Sequence, residues 1–419
     1  MITTPQHPKL SVMNFLSQVE FDYPAATSFA SGRPSDRFFE MPRWLQSIGA
    51  FQEYDAARNG YDAAAALRRV AQYGRTNGII NDLVAKHLAS DARLRCESEN
   101  IIITNGCQEA ISLLVQELCG ERDVVLARDP TYTGITGAAL GAGVSIEPVG
   151  DGDLAEALRE TIARVRKAGK TPRLLYLIPD FDNPTGTVIP LAAREAILEI
   201  AREERVLILE DGTYSMFRFE GSRVESLAEL DRHGSVIYLH TFSKTLCPSI
   251  RVGAAVVPAA LFGDAESSRR LVNALSERKS YLAVNTSQIN QAMVAGILLT
   301  EQFTLETTVS RARDFYRRNR DILTEELRAG LGAHARRVHW NRPEGGFFLV
   351  VQLPFAFGSE EMLTCANDYS VVVMPMSFFS LTNGHRSTVR LAYSNLDPSQ
   401  LSVGAHRLAR FILDRIGAN

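Results

Sequence analysis

The chain has 419 residues, of which 45% are hydrophobic and 22% are charged, a composition typical of a globular protein with a sizeable core. Lys and Arg total 45 against 48 Asp and Glu, which gives a net charge of −3. This balance offers no electrostatic attraction to nucleic acid or to an anionic membrane surface. No apolar run approaches the roughly 18 residues that a bilayer span needs, and the N-terminus lacks the pattern of a signal peptide.

The cysteine pattern argues against both a disulfide framework and a zinc site. The five cysteines are odd in number, widely spaced and without a C-x-x-C pair, which predicts a reducing, cytoplasmic setting. His334 and His339 have no acidic or cysteine partner at metal spacing, so no metal site is expected.

Prolines interrupt the first forty residues, and a regular alternation of helix and strand begins at about residue 60. An apolar stripe at helical spacing over residues 80–88 predicts a helix. Short, continuous apolar runs then predict strands at residues 101–104, 124–126, 174–178, 206–209, 236–239 and 253–257. Continuous runs are typical of strands that helices cover on both faces, so we expect an α/β fold with a mostly parallel sheet.

The pattern changes after about residue 290, where long charged helical stretches precede apolar runs at 347–351 and 371–373. We interpret this part as a smaller α+β domain. The predicted organisation is an N-terminal segment (1–55) that joins the small domain, a large domain (56–290) and a small C-terminal domain (291–419).

Ligands of an open parallel sheet bind beyond the carboxyl ends of its strands, and polar motifs follow several of the predicted strands. Lys244 comes directly after a buried strand, beside the hydroxyls of Thr241 and Ser243, as a Schiff-base lysine with a phosphate site would. Arg251, seven residues on, could add a bidentate guanidinium. Each residue alone is equally compatible with an ordinary solvated position.

A second group of motifs suits an electron-withdrawing aromatic cofactor. Asp211 follows another strand and could keep a pyridinium nitrogen protonated. Tyr214 and Asn183 are candidate donors to a phenolate oxygen on the same ring, and Tyr132 could stack over it. The glycines between 134 and 143 do not form a dinucleotide-binding G-x-G-x-x-G motif.

The segment Asn105-Gly106-Cys107-Gln108 joins a strand to a helix N-terminus. Backbone N–H groups at such an N-terminus bind phosphate, aided by the helix dipole. A turn without a ligand is the alternative interpretation of this segment alone.

In their order, these motifs resemble the class I/II, fold type I pyridoxal-phosphate aminotransferases, and most closely the 2-aminoadipate/kynurenine aminotransferase branch. The resemblance extends from about residue 28 to the C-terminus. The motifs that carry it are Tyr73-Gly74, Asn105-Gly106-Cys107-Gln108, Tyr132, Asn183-Pro184-Thr185-Gly186, Asp211-x-x-Tyr214, Ser243-Lys244, Arg251-x-Gly253, Pro343-Glu344-Gly345-Gly346-Phe347-Phe348 and Arg390.

The resemblance implies a large domain built on a seven-stranded, mostly parallel sheet, with pyridoxal 5'-phosphate as cofactor. It implies that Lys244 forms the Schiff base and shuttles a proton, that Asp211 faces the ring nitrogen and that Tyr132 stacks on the ring. The other implied cofactor contacts are Gly106, Cys107, Gln108, Asn183, Tyr214, Thr241, Ser243, Arg251 and, from a neighbouring subunit, Tyr73. Cys107 replaces the serine usual in this branch, which leaves the backbone contacts of its loop intact.

The implied substrate contacts are Gly32, Asn183 and Arg390, with Arg390 binding the α-carboxylate. We therefore expect a cytoplasmic homodimer with shared active sites, without nucleic-acid or membrane partners, that transfers an amino group between an L-amino acid and a 2-oxo acid. Aromatic residues near the predicted side-chain pocket suggest an aromatic or specialised 2-oxo acid, whereas Arg33 could meet a distal carboxylate such as that of glutamate. The predicted pocket comprises residues 31–33, Tyr132, Tyr281 and Phe378–Phe379.

Two other functions use the same scaffold. An oxidase, C–S lyase or cyclase needs the same core motifs, so these motifs do not separate it from a transaminase. Some winged-helix transcription regulators carry an aminotransferase-like domain behind a DNA-binding domain. Here the resemblance begins within about thirty residues of Met1, so we expect an enzyme.

Overall fold

The computed structural model describes residues 12–150 and 152–417, so the first eleven residues of the predicted N-terminal segment and the last two of the C-terminal domain lie outside the described residues. Its strands are β1 Thr27–Ser28, β2 Ile101–Thr104, β3 Asp123–Arg128, β4 Ser145–Val149, β5 Thr171–Leu177, β6 Leu207–Asp211, β7 Val236–Thr241, β8 Gly253–Val256, β9 His339–Trp340, β10 Phe348–Gln352, β11 Val371–Val372, β12 Met374–Pro375 and β13 Thr388–Ala392. Its α-helices are α1 Val12–Asp22, α2 Met41–Asn59, α3 Ala63–Val70, α4 Asn81–His87, α5 Cys107–Leu118, α6 Thr133–Gly141, α7 Leu154–Lys167, α8 Leu191–Glu204, α9 Leu227–Leu230, α10 Ala265–Ala283, α11 Gln288–Thr300, α12 Glu306–Leu331, α13 Ser359–Tyr369 and α14 Pro398–Gly417.

A seven-stranded sheet in the order β2-β8-β7-β6-β5-β3-β4 forms the centre of the molecule. Its strands pair in parallel from β7 to β4, and only β8 runs antiparallel to its two neighbours. The predicted α/β fold with a mostly parallel sheet is confirmed. The apolar pattern does not predict β4, because this edge strand is only half-buried and includes Glu147 and Pro148.

Helices cover both faces of this sheet, which explains the continuous apolar runs. Side chains alternate along β3: Val125 joins the main core, whereas Val124 and Leu126 join a second cluster beneath α7 and α8. Helix α7 presents residues such as Ile162 and Val165 to that cluster. Asp153 caps its N-terminus, since the Asp153 carboxylate accepts two backbone N–H groups of the first turn, and this cap defines where the amphipathic helix starts.

The C-terminal part of the chain forms a separate sheet in the order β12-β13-β10-β9, which is antiparallel. Strand β1 pairs in parallel with β11, so the N-terminal segment joins this part of the fold. The long helix α12 packs against α14, and the buried Asn319 of α12 donates to the carbonyls of Tyr393 and Leu396, each at 2.8 Å. The boundaries at residues 55 and 290 stay a prediction.

Helix α2 crosses α11 at a very close approach. A Cβ atom at Gly296 would lie 1.8 Å from the Ser47 carbonyl oxygen, and the Ser47 hydroxyl donates to the Met293 carbonyl at 3.1 Å. Only glycine permits this backbone contact. This close crossing holds α2 against α11.

The loop after β5 is held by a fully buried arginine on α8. The Nε atom of Arg194 donates to the Ile189 carbonyl at 2.9 Å, and its Nη2 donates to the Pro179 carbonyl at 3.0 Å. The same Nη2 lies 2.8 Å from Asp180 Oδ1. Since Asn183 follows three residues after Asp180, this cluster positions a predicted site residue.

We expect Arg194→Met to lower the free energy of unfolding by about 3 kcal/mol, because it leaves buried carbonyl acceptors unsatisfied and removes one of the two arginine partners of the mostly buried Asp180 carboxylate. Denaturant unfolding followed by circular dichroism measures the change. The matched control is Arg202→Met on the same helix, whose pair with Glu199 is exposed and contributes little. Equal losses in the two variants would contradict this role of Arg194.

Candidate active site

A cavity of about 340 Å³ lies beyond the carboxyl ends of β5, β6 and β7 and is closed on its other side by β10 and β13. The residues that line it are Ala30, Ser31, Gly32, Arg33, Cys107, Gln108, Tyr132, Thr133, Ile178, Asn183, Asp211, Thr213, Tyr214, Thr241, Ser243, Lys244, Arg251, Phe348, Met374, Phe379 and Arg390. Every cofactor or substrate contact named from the sequence lines it except Gly106 and Tyr73. The cavity therefore lies at the sheet edge where the sequence places the site.

One end of the cavity is rich in hydrogen-bond donors. Arg251 Nη1 donates to Ser243 Oγ at 2.9 Å, and Thr241 Oγ1 lies 3.0 Å from the same oxygen. Gly106 precedes α5 with φ at 76°, and a Cβ atom there would lie 2.5 Å from Arg251 Nη2. Hydroxyls, a guanidinium and a helix N-terminus thus converge on one point, an arrangement that binds a phosphate.

Asp211 lies buried at the end of β6 with two hydrogen-bonding neighbours that its motif does not reveal. The Tyr176 hydroxyl donates to Oδ2 at 2.8 Å, and the Thr213 backbone N–H donates to Oδ1 at 3.1 Å. Burial raises the pKa of Asp211, while these hydrogen bonds act in the opposite direction. The Thr213 hydroxyl also lies 3.7 Å from the Cys107 sulfur, and burial raises the pKa of that thiol, which keeps it protonated and neutral.

Lys244 extends into the cavity, where its Nζ donates to the Gly32 carbonyl at 3.1 Å. Burial and the charges of Arg251 and Arg390, which together outweigh the opposing charge of Asp211, lower the pKa of this amine to about 8. An amine with this pKa is partly unprotonated near neutral pH. It can therefore act as a nucleophile toward a carbonyl carbon.

Arg390 is buried on β13 and held from three sides. Its Nη1 donates to Asn183 Oδ1 at 2.7 Å and its Nη2 to the Ala30 carbonyl at 2.5 Å. Its guanidinium carbon lies 4.2 Å from the centre of the Phe348 ring and 4.7 Å from that of Phe379. Burial lowers its pKa to about 10, and its Nε has no hydrogen-bond partner within the described residues, so a donor is left over for an anionic ligand.

Two tyrosines complete the walls. Tyr132 begins α6, and its hydroxyl lies 3.3 Å from Gln108 Oε1; burial raises its pKa to about 12. Tyr214 packs edge-to-face against Phe347, at 5.3 Å between ring centres. Burial raises the pKa of Tyr214 while a hydrogen bond from Asn183 opposes the rise. Both tyrosines therefore remain neutral donors near neutral pH.

Some predicted residues lie elsewhere. Tyr73 is 80% exposed and Tyr281 is 85% exposed, and neither lines the cavity of this chain. Gly106 lies directly behind the cavity wall, at the entry to α5. Of the predicted pair Phe378–Phe379, only Phe379 lines the cavity.

Sequence patterns do not single out several residues that the fold brings to the cavity. Ala30, Ile178 and Met374 line its wall, and Tyr176 contacts Asp211 from the neighbouring strand. The only local signal was the position of Thr213 inside the motif that begins at Asp211. Within the described ranges, no three His, Cys, Asp or Glu side chains lie where they could hold a metal ion, and no helix is both long and apolar enough to span a membrane.

The sequence profile of the family described as "Aminotransferase class I and II" matches residues 33–408. The chain is 38% identical over 413 residues to (S)-3,5-dihydroxyphenylglycine transaminase of Amycolatopsis orientalis, covering 98% of this chain and 93% of that protein. It is 31% identical to 2-aminoadipate transaminase of Thermus thermophilus, covering 92% and 90% of the two chains. The predicted resemblance, including its branch, is confirmed.

Solved structures agree with these relatives. A kynurenine aminotransferase from Pyrococcus horikoshii superimposes with a TM-score of 0.82 at 26% identity, over 99% of this chain and 96% of that one. This similarity extends across both sheets. The fold type I architecture is therefore confirmed along with the family.

We expect the reactivity of Lys244 toward an acylating reagent to rise with pH through about 8 and to level off above it, because only the unprotonated amine reacts. Competitive labelling with acetic anhydride, read peptide by peptide by mass spectrometry, measures the midpoint, with the exposed Lys167 as internal reference. In Arg390→Ala the midpoint should move to higher pH, since a positive charge is lost. A midpoint near 10, or no movement in the variant, would contradict this electrostatic account.

Proposed function

From the premise that the chain belongs to the class I and II aminotransferases, we propose that its cavity binds pyridoxal 5'-phosphate and exchanges an amino group between an L-amino acid and an aromatic 2-oxo acid. Transfer of amino groups is the activity of the family. One observation carries the assignment to this cavity: a phosphate cradle, a low-pKa lysine, a buried carboxylate and a buried arginine line the same space.

The residues present fit the proposed cofactor. The cradle of Thr241, Ser243, Arg251 and the α5 N-terminus suits a phosphate dianion, and the absence of a Cβ atom at Gly106 lets the Arg251 guanidinium lie against this N-terminus. Buried Asp211 has a raised pKa, so a cationic ring nitrogen beside it would offset the cost of burying its charge.

Each side chain then has a role. Pyridoxal phosphate supplies, when bound, an aldehyde that condenses with amines and a ring that withdraws electrons. Lys244 holds the cofactor through Nζ and moves a proton to and from the substrate α-carbon. Asp211 keeps the ring nitrogen protonated, Asn183 and Tyr214 donate to the ring oxygen, and Tyr132, positioned by Gln108, covers one face of the ring.

Arg390 binds the substrate α-carboxylate in this proposal. Its position is fixed by Asn183, the Ala30 carbonyl and two phenylalanine rings, so little entropy is lost when a carboxylate binds. Its Nε lacks a partner among the described residues, and a carboxylate would supply one. Gly32 lies beside this point, where a Cβ atom would collide with the Phe348 ring at 2.3 Å, so the loop backbone approaches the substrate closely.

Apolar side chains favour an aromatic substrate. Ile178, Met374, Phe348 and Phe379 line the cavity next to Arg390, and such walls select flat, apolar side chains. The Amycolatopsis relative is named for an arylglycine. Arg33 also lines the cavity and is exposed, and we propose that it meets the distal carboxylate of a donor such as glutamate.

We also propose that the enzyme is a cytoplasmic homodimer with shared active sites. Tyr73, Tyr281 and Ile289 are large and exposed, and Gln288 beside them donates to the Gln72 carbonyl, so the two segments form one surface. Exposed apolar surface of this kind is typical of an interface. Since the Tyr73 side chain does not line the cavity of its own chain, it is free to reach the cofactor phosphate in the partner subunit across this interface. The five cysteines are unpaired, as suits a reducing compartment.

The proposed activity is tested by absorption spectra of the purified protein with pyridoxal phosphate, before and after single amino acids. We expect the absorbance of Lys244-bound cofactor, its conversion to the pyridoxamine form by an amino donor, and its return with an aryl 2-oxo acid. Lys244→Ala should lose turnover by several orders of magnitude, whereas the surface control Lys167→Ala should not.

Three results would contradict parts of this proposal. An absence of any cofactor absorbance would refute the cofactor assignment. Oxygen uptake or ammonia release without the pyridoxamine form would favour an oxidase or lyase. No turnover with any aryl 2-oxo acid, while other acceptors work, would refute the aromatic substrate class.

Shared active sites are tested by subunit mixing. We expect Tyr73→Ala and Lys244→Ala homodimers each to be impaired, and a remixed sample to exceed the average activity of the two. In a mixed dimer, one site combines an intact Lys244 with the intact Tyr73 of the other subunit. Light scattering should give twice the mass of one chain. No gain on mixing, in a sample shown to exchange subunits, would place the action of Tyr73 within its own subunit.

A further inference from the structure

Asp129 follows β3 and binds a loop that is about 250 residues distant in sequence. This loop, residues 380–387, connects Phe379 to the strand β13 that carries Arg390. Both of its ends therefore border the cavity. The loop itself does not line the cavity, and nothing in the sequence pattern or in the roles proposed above involves Asp129.

The Asp129 carboxylate accepts hydrogen bonds on both oxygens. Oδ1 accepts the Leu381 backbone N–H at 2.8 Å. Oδ2 accepts the Thr382 hydroxyl at 2.5 Å, the Thr382 backbone N–H at 3.2 Å and the Ser380 hydroxyl at 3.2 Å. The side chain of Asp129 is only 10% exposed, and His385 approaches it at 4.0 Å. One carboxylate thus satisfies four donors from three consecutive residues.

The segment around Asp129 is also tied to the cavity. The Thr131 backbone N–H donates to the Phe379 carbonyl at 3.0 Å. Tyr132, the next residue, lines the cavity, and so does Phe379, whose ring lies against the Arg390 guanidinium. Four hydrogen bonds to Asp129 and one backbone hydrogen bond therefore hold Phe379 at a set distance from Tyr132.

We propose that Asp129 is a positioning residue that sets the width of the side-chain pocket between Tyr132 and Phe379, and so selects substrates by the size of their side chain. Charge-assisted hydrogen bonds to backbone N–H groups are strong and directional, so the loop has one preferred position. An aromatic side chain that fills this gap depends on its width. A methyl side chain, which leaves the gap largely empty, does not.

An ordinary loop anchor is the alternative, and the two roles differ in what they predict. An anchor contributes to stability only. Its loss lowers the activity with all substrates by the same factor, because a smaller fraction of the protein is folded. A positioning residue changes the ratio between large and small substrates, because a displacement of about 1 Å in a bound side chain costs up to about a hundredfold in rate.

The test uses Asp129→Asn, Thr382→Val and a matched control. Asp129→Asn turns one acceptor oxygen into an amide donor that faces existing donors, whereas Thr382→Val removes one hydroxyl only. The control, Asp123→Asn, alters a carboxylate at the opposite end of β3 that accepts the Gly120 backbone N–H at 2.8 Å. All three variants are compared as cofactor-loaded enzymes, with thermal unfolding measured first.

We expect hydrogen exchange of the peptide covering residues 379–388 to quicken about tenfold in Asp129→Asn, less in Thr382→Val and not in the control. This readout does not require turnover, so it tests the loop even if the proposed function is wrong. In kinetics, which rest on the proposed function, kcat/KM for an aryl 2-oxo acid should fall about tenfold relative to pyruvate in Asp129→Asn, mainly through KM.

Exchange in this peptide that stays within twofold of the wild type would overturn the proposal. So would equal losses for aryl and methyl substrates in Asp129→Asn, since these would leave only a stabilising anchor. A control variant that changes the substrate ratio as much as Asp129→Asn would also overturn it, because the effect would then belong to β3 as a whole.

Discussion

The burial of the central sheet on both faces is the constraint on which the rest of this molecule depends. Helices on each side exclude water from strands β3, β5, β6 and β7, so a charged side chain within a strand would have no solvent. The charged groups of these strands therefore lie at or near the strand ends. Because the strands run in parallel, their carboxyl ends meet at one edge, and the cavity is formed there.

Electrostatics within the cavity follow from this burial. Four cationic side chains line this small space, against the single carboxylate of Asp211; they are Arg33, Lys244, Arg251 and Arg390. Among these cations the Lys244 amine loses its proton most readily, since a guanidinium keeps its proton to much higher pH. Burial first, and then the charges of Arg251 and Arg390, lower the pKa of Lys244 to about 8, and the excess of positive charge favours phosphate and carboxylate ligands.

The second sheet contributes the side chains that close the cavity on the side away from the central sheet. Its strands β10 and β13 contribute the Phe348 ring and Arg390, and Asn341 joins the two parts by donating to the Thr185 carbonyl at 2.7 Å. An ion pair adds to this contact, where the buried Arg320 of α12 meets the partly exposed Glu220 from the loop after β6. Hydrogen bonds from Arg342 first, and then from Arg320, lower the pKa of the Glu220 carboxyl to about 2. The shape of the cavity between the two sheets therefore depends on these contacts, which hold the sheets together.

Sequence patterns predict the central strands, the family and most of the residues that line the cavity, since Lys244, Asp211 and Arg251 each lie beside a strand that its own apolar run indicates. Tertiary structure alone decided the contacts made across the sheet or between its two parts. Tyr176 contacts Asp211 because β5 pairs with β6, and Asp129 meets Thr382 across about 250 residues. Apolar periodicity records which side chains are buried, but the partner of a buried polar group depends on strand order and on the packing of distant segments.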